Sequence, residues 1–103
     1  MFDPDEGFFE KKGWMVPVTS LFTGEIQKWE KDDGKWVTGG DTVCIIKPDV
    51  PGVWEEFRKV RAPASGYLAI EKRFAEPGSW VQGGLFEEDR DIIAYIYTEG
   101  FPI

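Results

Sequence analysis

The chain has 103 residues, of which 42% are hydrophobic, and a formal net charge of −7. This length suits one compact domain and is too short for two, and the negative charge argues against nucleic acid or an anionic membrane surface as a partner. A single cysteine excludes an internal disulfide, and the absence of histidine excludes Ser-His-Asp and Cys-His catalysis and removes the commonest metal ligand. We therefore expect a non-enzymatic cytoplasmic protein without a metal site, a membrane span or a signal peptide.

Residues 1–13 are predicted to form an acidic, aromatic arm, which precedes a domain at residues 14–99 and a short tail at residues 100–103. The arm places Phe2, Phe8 and Phe9 among charged residues. We expect these rings to pack on the domain, with disorder of the arm as the alternative.

From Trp14 onward, short apolar runs are separated by Gly, Pro and Asp clusters at intervals of about 8 to 12 residues, which is typical of all-β proteins. No window shows convincing helical periodicity, although residues 53–60 are ambiguous. The predicted strands are Met15 to Val18, Gly24 to Trp29, Thr42 to Lys47, Trp54 to Arg61, Gly66 to Lys72 and Asp91 to Thr98, with short pairings at Trp36-Val37 and Trp80-Val81.

A seven-residue pattern occurs twice, at residues 34–40 and 78–84, and five of its seven positions are identical. Each copy has an upstream companion, Thr23-Gly24 or Ser65-Gly66. Two copies indicate one pseudo-symmetric domain, because solenoids need about three or more units. The glycines are predicted to form tight turns, and the tryptophans are predicted to occupy equivalent places in the core. These repeat residues are Gly34, Trp36, Gly39, Gly40, Gly78, Trp80, Gly83 and Gly84.

The order of these segments resembles the biotinyl/lipoyl carrier-domain family across roughly residues 15–98. The similar segments are Val16-Pro17, residues 23–29 and 33–43, Ala62-Pro63-Ala64-Ser65-Gly66 and residues 77–83. The resemblance implies an all-β barrel-sandwich hybrid of two pseudo-symmetric, four-stranded antiparallel halves, with a hairpin joining the halves. In that family, a lysine at the tip of the hairpin carries biotin or lipoic acid on a swinging arm.

The chain departs from the family at this hairpin, residues 44–62, which is about five residues longer than in a typical carrier and has Pro51-Gly52 as its natural tip. The positions where the family spacing places the lysine are Val50, counted from Gly40, and Glu55, counted from Ala62. The nearest amines, Lys47 and Lys59, lie on opposite flanks of the tip.

Three functions remain open. The leading one is a carrier-fold module without a prosthetic group that binds a protein, such as a carboxylase or oxo-acid dehydrogenase type complex, through the lengthened hairpin. The interaction residues would be Pro51, Gly52, Trp54, Phe57 and Arg58, because large aromatics and Arg are enriched at hot spots. The second is a divergent lipoyl or biotin carrier modified at Lys47 or Lys59. The third is an enzyme, against which counts the lack of a recognisable nucleophile and base. Binding of a small molecule in a groove lined by the tryptophans also stays open.

Overall fold

A computed structural model describes residues 15–98, so the predicted arm, with Phe2, Phe8 and Phe9, and the tail lie outside the described residues. The described part forms eight strands and little helix. The strands are β1 (Met15–Thr19), β2 (Gly24–Trp29), β3 (Trp36–Val37), β4 (Thr42–Pro48), β5 (Lys59–Arg61), β6 (Gly66–Ile70), β7 (Trp80–Val81) and β8 (Ile92–Tyr97). One short helix, α1 (Glu55–Arg58), precedes β5, and single-turn 3₁₀ helices lie at Lys72–Phe74 and Glu87–Asp89.

The strands form two four-stranded antiparallel sheets, which confirms the all-β prediction. One sheet has the order β1-β8-β6-β3 and the other has the order β5-β4-β2-β7. Each sheet contains strands from both halves of the chain, since β3 pairs with β6 and β7 pairs with β2. The two orders interconvert when the halves of the chain are exchanged. The duplication in the sequence is therefore a pseudo-twofold relation in space.

Hydrogen bonds repeat across the two halves and explain the conserved spacing within the chain. Gly39 N donates to the Ser65 hydroxyl at 2.8 Å, and Gly83 N donates to the Thr23 hydroxyl at 3.0 Å. Gly34 and Gly78 have φ values of +83° and +93°, a region in which an L side chain is strained. The Ser or Thr hydroxyl of each half thus binds the glycine turn of the other half.

Two further glycines lie where neighbouring strands approach closely. A Cβ on Gly24 would come within 2.1 Å of the Lys47 carbonyl oxygen, and a Cβ on Gly66 within 2.4 Å of the Tyr97 carbonyl oxygen. These positions are equivalent in the two halves. Both sheets therefore need a residue without a side chain at the first position of an inner strand.

The core lies between the sheets and consists mainly of aliphatic side chains. The fully buried large side chains include Ile26, Ile46, Leu68, Ile93 and Ile96. In β2 the buried residues alternate, as expected for a strand with one face on a shared core. In β4 and β8 two consecutive residues are buried, Val43-Cys44 and Ile93-Ala94.

The prediction that the repeated tryptophans belong to the core is wrong. Trp36 and Trp80 are 53% and 55% exposed, whereas the valines that follow them, Val37 and Val81, are buried. Because side chains of a strand alternate between its two faces, only one residue of each Trp-Val pair can point inward. The smaller, β-branched residue takes the inner position in both halves.

The predicted strand from Trp54 to Arg61 is also corrected, since only Lys59–Arg61 is extended and Glu55–Arg58 is helical. Acidic residues in the first turn and Arg58 in the last turn match the helix dipole. A strand over the whole segment would have had no apolar face to bury. Within residues 15–98, no helix is long and apolar enough to span a membrane.

Candidate functional site

The central hairpin connects β4 to β5 through residues 49–58 and protrudes from one end of the paired sheets. Its turn lies at Pro51 and Gly52, both exposed, and Gly52 has a φ of +79°. The base of the loop is attached to the neighbouring loop, because Asp49 N donates to the Thr23 carbonyl oxygen at 3.0 Å. The predicted tip of the hairpin is therefore the observed tip.

Helix α1 is fixed to β5 by one carboxylate. Glu56 accepts a hydrogen bond from Arg61 Nη2 at 2.8 Å and another from Lys59 Nζ at 3.2 Å. These two hydrogen bonds, that from Arg61 first, lower the pKa of Glu56. At the other end of the loop, Arg58 Nε donates to the Val53 carbonyl oxygen at 3.1 Å. Arg58, predicted as a contact residue, is half-buried and stabilises the loop internally.

Two aromatic side chains of the hairpin are exposed to solvent. Trp54 is 75% exposed and Phe57 is 55% exposed. Their rings are stacked, with centroids 6.3 Å apart and planes inclined by 25°. Phe57 also contacts Phe22 from the loop between β1 and β2, at a centroid distance of 6.5 Å. The result is a cluster of three rings that leaves most of Trp54 uncovered.

The loop that carries Phe22 is held by a buried serine. The Ser20 hydroxyl donates to the Phe22 carbonyl oxygen at 2.7 Å and accepts from Phe22 N at 3.2 Å. This closed turn directs Leu21 outward, where it is 42% exposed. Sequence reasoning missed Leu21 and Phe22. Aligning the two halves would have found them, because Pro63 and Ala64 stand 42 positions later and leave no comparable apolar bulk.

The aromatic cluster borders two open grooves. One groove, of about 520 Å³, is lined by Phe22, Gly52, Val53, Trp54 and Phe57. The other, of about 630 Å³, lies between the hairpin and the loop after β7; its lining includes Leu21, Asp49, Val50, Trp80 and Leu85. The predicted interaction residues at the tip are thereby joined by residues from two other loops.

Neither lysine proposed as an attachment site lies at the tip. Lys47 is in β4, exposed, and faces Glu25 in the neighbouring strand. Lys59 is in β5, half-buried, and bound to Glu56. The structure therefore places both amines on strands rather than on a protruding turn.

The predicted tryptophan-lined groove is only partly assembled among the described residues. Trp36 lies in the sheet that contains β1, and Trp80 lies in the opposite sheet. Trp36 instead makes an edge-to-face contact with Tyr67, at a centroid distance of 5.2 Å. Of the repeated pair, Trp80 alone lines a groove next to the hairpin.

The only thiol is not available as a nucleophile. Cys44 is completely buried in β4, and desolvation raises its pKa to about 12. Because the thiolate is the reactive form, this cysteine is a core residue. Within residues 15–98, no three carboxylate or thiol side chains converge as metal ligands would.

No protein-family model matches the chain, and no curated protein matches it significantly. The resemblance to biotinyl/lipoyl domains thus remains an expectation from the sequence.

Proposed function

We propose that this protein is a biotinyl/lipoyl-type barrel-sandwich module that carries no prosthetic group and binds a protein through its central hairpin. The strand orders support the fold, because exchanging the two halves converts one sheet into the other. The hairpin between β4 and β5 occupies the place where the family resemblance puts the attachment turn. Candidate partners are the subunits of carboxylase or oxo-acid dehydrogenase type complexes, which use domains of this family.

Support for an unmodified module comes from the chemistry of the tip. A carrier must present a mobile amine to a modifying enzyme and then to distant active sites. Here the turn consists of Pro51 and Gly52, which have no side-chain amine, and Lys59 forms an ion pair with Glu56. The hairpin therefore presents a surface at its tip instead of a mobile lysine.

The observation that carries the proposal is the exposure of Trp54 and Phe57 at this tip. Fully burying a side chain the size of Phe contributes about 1.5–3 kcal/mol, and most of Trp54 and about half of Phe57 are still available for burial by a partner. Phe22 and the Glu56 contacts position the rings before a partner arrives. A partner would therefore lose little affinity to the ordering of this loop.

The test is photo-cross-linking from a single site in cells that naturally make the protein. A benzophenone amino acid at position 54 should capture one protein, whereas the same group at position 36 should not. Trp36 is a matched control because it is similarly bulky and exposed but lies in the outer strand of the other sheet. With the captured protein purified, W54A should weaken binding by about thirtyfold or more, the level of a hot-spot residue. W36A should change binding less than twofold. Equal effects of the two variants would contradict the proposal.

The alternative is a carrier modified at Lys47 or Lys59. Lys47 favours this alternative because it is exposed and lies on the hairpin. The intact mass of the natively expressed chain separates the two functions. The unmodified mass supports the binding module, whereas an added lipoyl or biotinyl group located on either lysine by peptide mapping establishes the carrier.

A further inference from the structure

Two of the chain's departures from its own duplication carry exposed apolar side chains. One is the central hairpin, and the other is an insertion at residues 85–90. The insertion is defined by two equivalent hydrogen bonds: Asp41 accepts from Thr38 N at 2.9 Å, and Asp91 accepts from Gln82 N at 2.9 Å. In the first half Asp41 directly follows the second repeat glycine, whereas in the second half residues 85–90 intervene before Asp91.

The insertion is closed at its base by one arginine. Arg90 Nε donates to the Gly84 carbonyl oxygen at 2.6 Å, and Arg90 Nη1 donates to the Thr19 hydroxyl at 3.2 Å. These bonds tie the insertion to β1. They leave Leu85 and Phe86 84% and 65% exposed. The loop that Arg90 stabilises thus exposes two large apolar side chains to solvent.

The hairpin and the insertion both line the groove of about 630 Å³, and we refer to them as its two walls. Val50 comes from the hairpin and Leu85 from the insertion, and Leu21, Phe22 and Trp80 complete the apolar lining. Each wall is built by a segment that the duplicated scaffold does not require. The two departures therefore produce one apolar surface at one end of the molecule.

The charges around this surface are unbalanced. Five carboxylates of the two segments make no ion pair among the described residues: Asp49, Glu55, Glu87, Glu88 and Asp89. Of these, Asp49 lines the groove, whereas Glu87 and Glu88 line a depression next to β1 and Glu55 lies in a depression shared with Arg58 and Lys59. The basic side chains nearby already have partners, since Arg58 and Arg90 donate to backbone carbonyl groups and Lys59 and Arg61 bind Glu56. Lys47 faces Glu25 across the sheet, where opposite charges attract.

We propose that the groove binds a partner segment in which bulky apolar side chains alternate with lysine or arginine, that is, a basic amphipathic peptide. The apolar side chains would contact Val50 and Leu85, and a basic side chain would meet Asp49, which also lines the groove. The other unpaired carboxylates of the two segments would add attraction at longer range. This inference rests on the proposed function and specifies the chemistry of the partner. A second copy of this chain fits less well, because it would bring a further net charge of −7 to a chain that is already acidic.

The test uses the full chain and a fluorescein-labelled peptide of 14 residues in which Leu or Trp alternates with Lys. Fluorescence anisotropy should show at least tenfold tighter binding than for the same peptide with Glu in place of Lys. Binding should weaken as NaCl is raised from 50 to 500 mM, because salt screens exposed charges. Equal binding of the two peptides would overturn the inference.

Three variants locate the binding. Asp49→Lys and Leu85→Ser should each weaken peptide binding at least fivefold. Asp32→Lys is the matched control for charge, because Asp32 lies beyond the opposite end of β2 and makes no ion pair; it should change binding less than twofold. Equal effects of Asp49→Lys and Asp32→Lys would show attraction to overall charge only and would refute a groove site.

The results distinguish a failure of this inference from a failure of the proposed function. If the partner captured from position 54 requires Trp54 but is indifferent to Asp49→Lys and Leu85→Ser, the proposed function stands and the basic-peptide inference falls. If no partner requires Trp54, both fall. Sedimentation velocity at 10 to 200 µM tests for self-association. A dimer that Leu85→Ser dissociates would assign the groove to a second copy and overturn the inference.

Discussion

Replacing Gly24 with alanine should be among the most destabilising methyl additions that this chain can receive. The added Cβ would come within 2.1 Å of the Lys47 carbonyl oxygen and within 2.8 Å of Pro48 Cα. Optimal contacts between non-bonded heavy atoms lie at about 3.5–4.0 Å, so β2 and β4 would have to separate by roughly 1 Å or more. The obstacle is backbone, which cannot rotate away as a flexible side chain can.

The expected loss of stability has two causes: overpacking at Gly24 and weakening of the hydrogen bonds between β2 and β4. Overpacking a close contact costs about 1–3 kcal/mol, and each weakened hydrogen bond next to Gly24 adds about 1 kcal/mol. We expect a loss of about 3–4 kcal/mol for Gly24→Ala and a similar loss for Gly66→Ala, whose Cβ would meet the Tyr97 carbonyl oxygen. At about 4–8 °C per kcal/mol for a domain of this size, the melting temperature should fall by at least about 12 °C.

Gly34→Ala provides the matched control. Gly34 has a φ of +83° but open space around its Cβ position, so the alanine there meets conformational strain without a clash. That strain costs about 1–2 kcal/mol. Urea unfolding followed by tryptophan fluorescence gives the three free energies of unfolding. If Gly24→Ala and Gly34→Ala shift the urea midpoint equally, the close approach of β2 to β4 does not set the requirement for glycine, and the reasoning is refuted.

Two predictions concern pH. Burial raises the pKa of Cys44 from 9.0 to about 12, so its contribution to stability is complete below pH 9 and is lost as the unfolded thiol ionises above it. The wild-type protein should therefore lose about 1.4 kcal/mol of unfolding free energy per pH unit from this group. Cys44→Ala should remove that slope in urea titrations between pH 9 and 11. The pKa of Glu56 is lowered from 4.5 by its hydrogen bond from Arg61 first and that from Lys59 next, so its contribution is present above pH 4.5 and is lost as the pH falls through the folded-state value. The difference in urea midpoint between wild type and Glu56→Gln should therefore disappear at low pH, and a difference that persists at pH 2 would contradict this assignment.

The repeat made much of the scaffold predictable. The strand Gly24–Trp29 and both Trp-Val pairs were predicted with the observed bounds, because turn glycines and alternating apolar residues mark these segments locally. The orientation of Trp36 and Trp80 was predicted wrongly, since two residues do not reveal which face of a strand points inward. That choice depends on the neighbouring strand, where Val37 is opposite Gly66 and Val81 is opposite Gly24.

The hairpin could be predicted in position but not in conformation. Pro51-Gly52 identified the tip, whereas the mixed sequence after it left open whether its rings are exposed or fold back onto the domain. The structure exposes both Trp54 and Phe57. The helical turn was missed because its stability depends on contacts formed after folding. Glu56 reaches Arg61 only when α1 and β5 are both in place, and no local pattern encodes that pairing.

The symmetry of the scaffold distinguishes structural residues from candidate functional ones. Where both halves share a feature, such as Gly24 and Gly66 against a neighbouring strand, the requirement of the fold explains it. No such requirement explains Trp54 or Leu85, which are 75% and 84% exposed and have no counterpart in the other half. Leaving two large apolar side chains in water opposes solubility and contributes nothing to the core. The hairpin that carries Trp54 and the insertion that carries Leu85 both line the larger groove, through Val50 and Leu85, so the proposed partner segment would account for both departures.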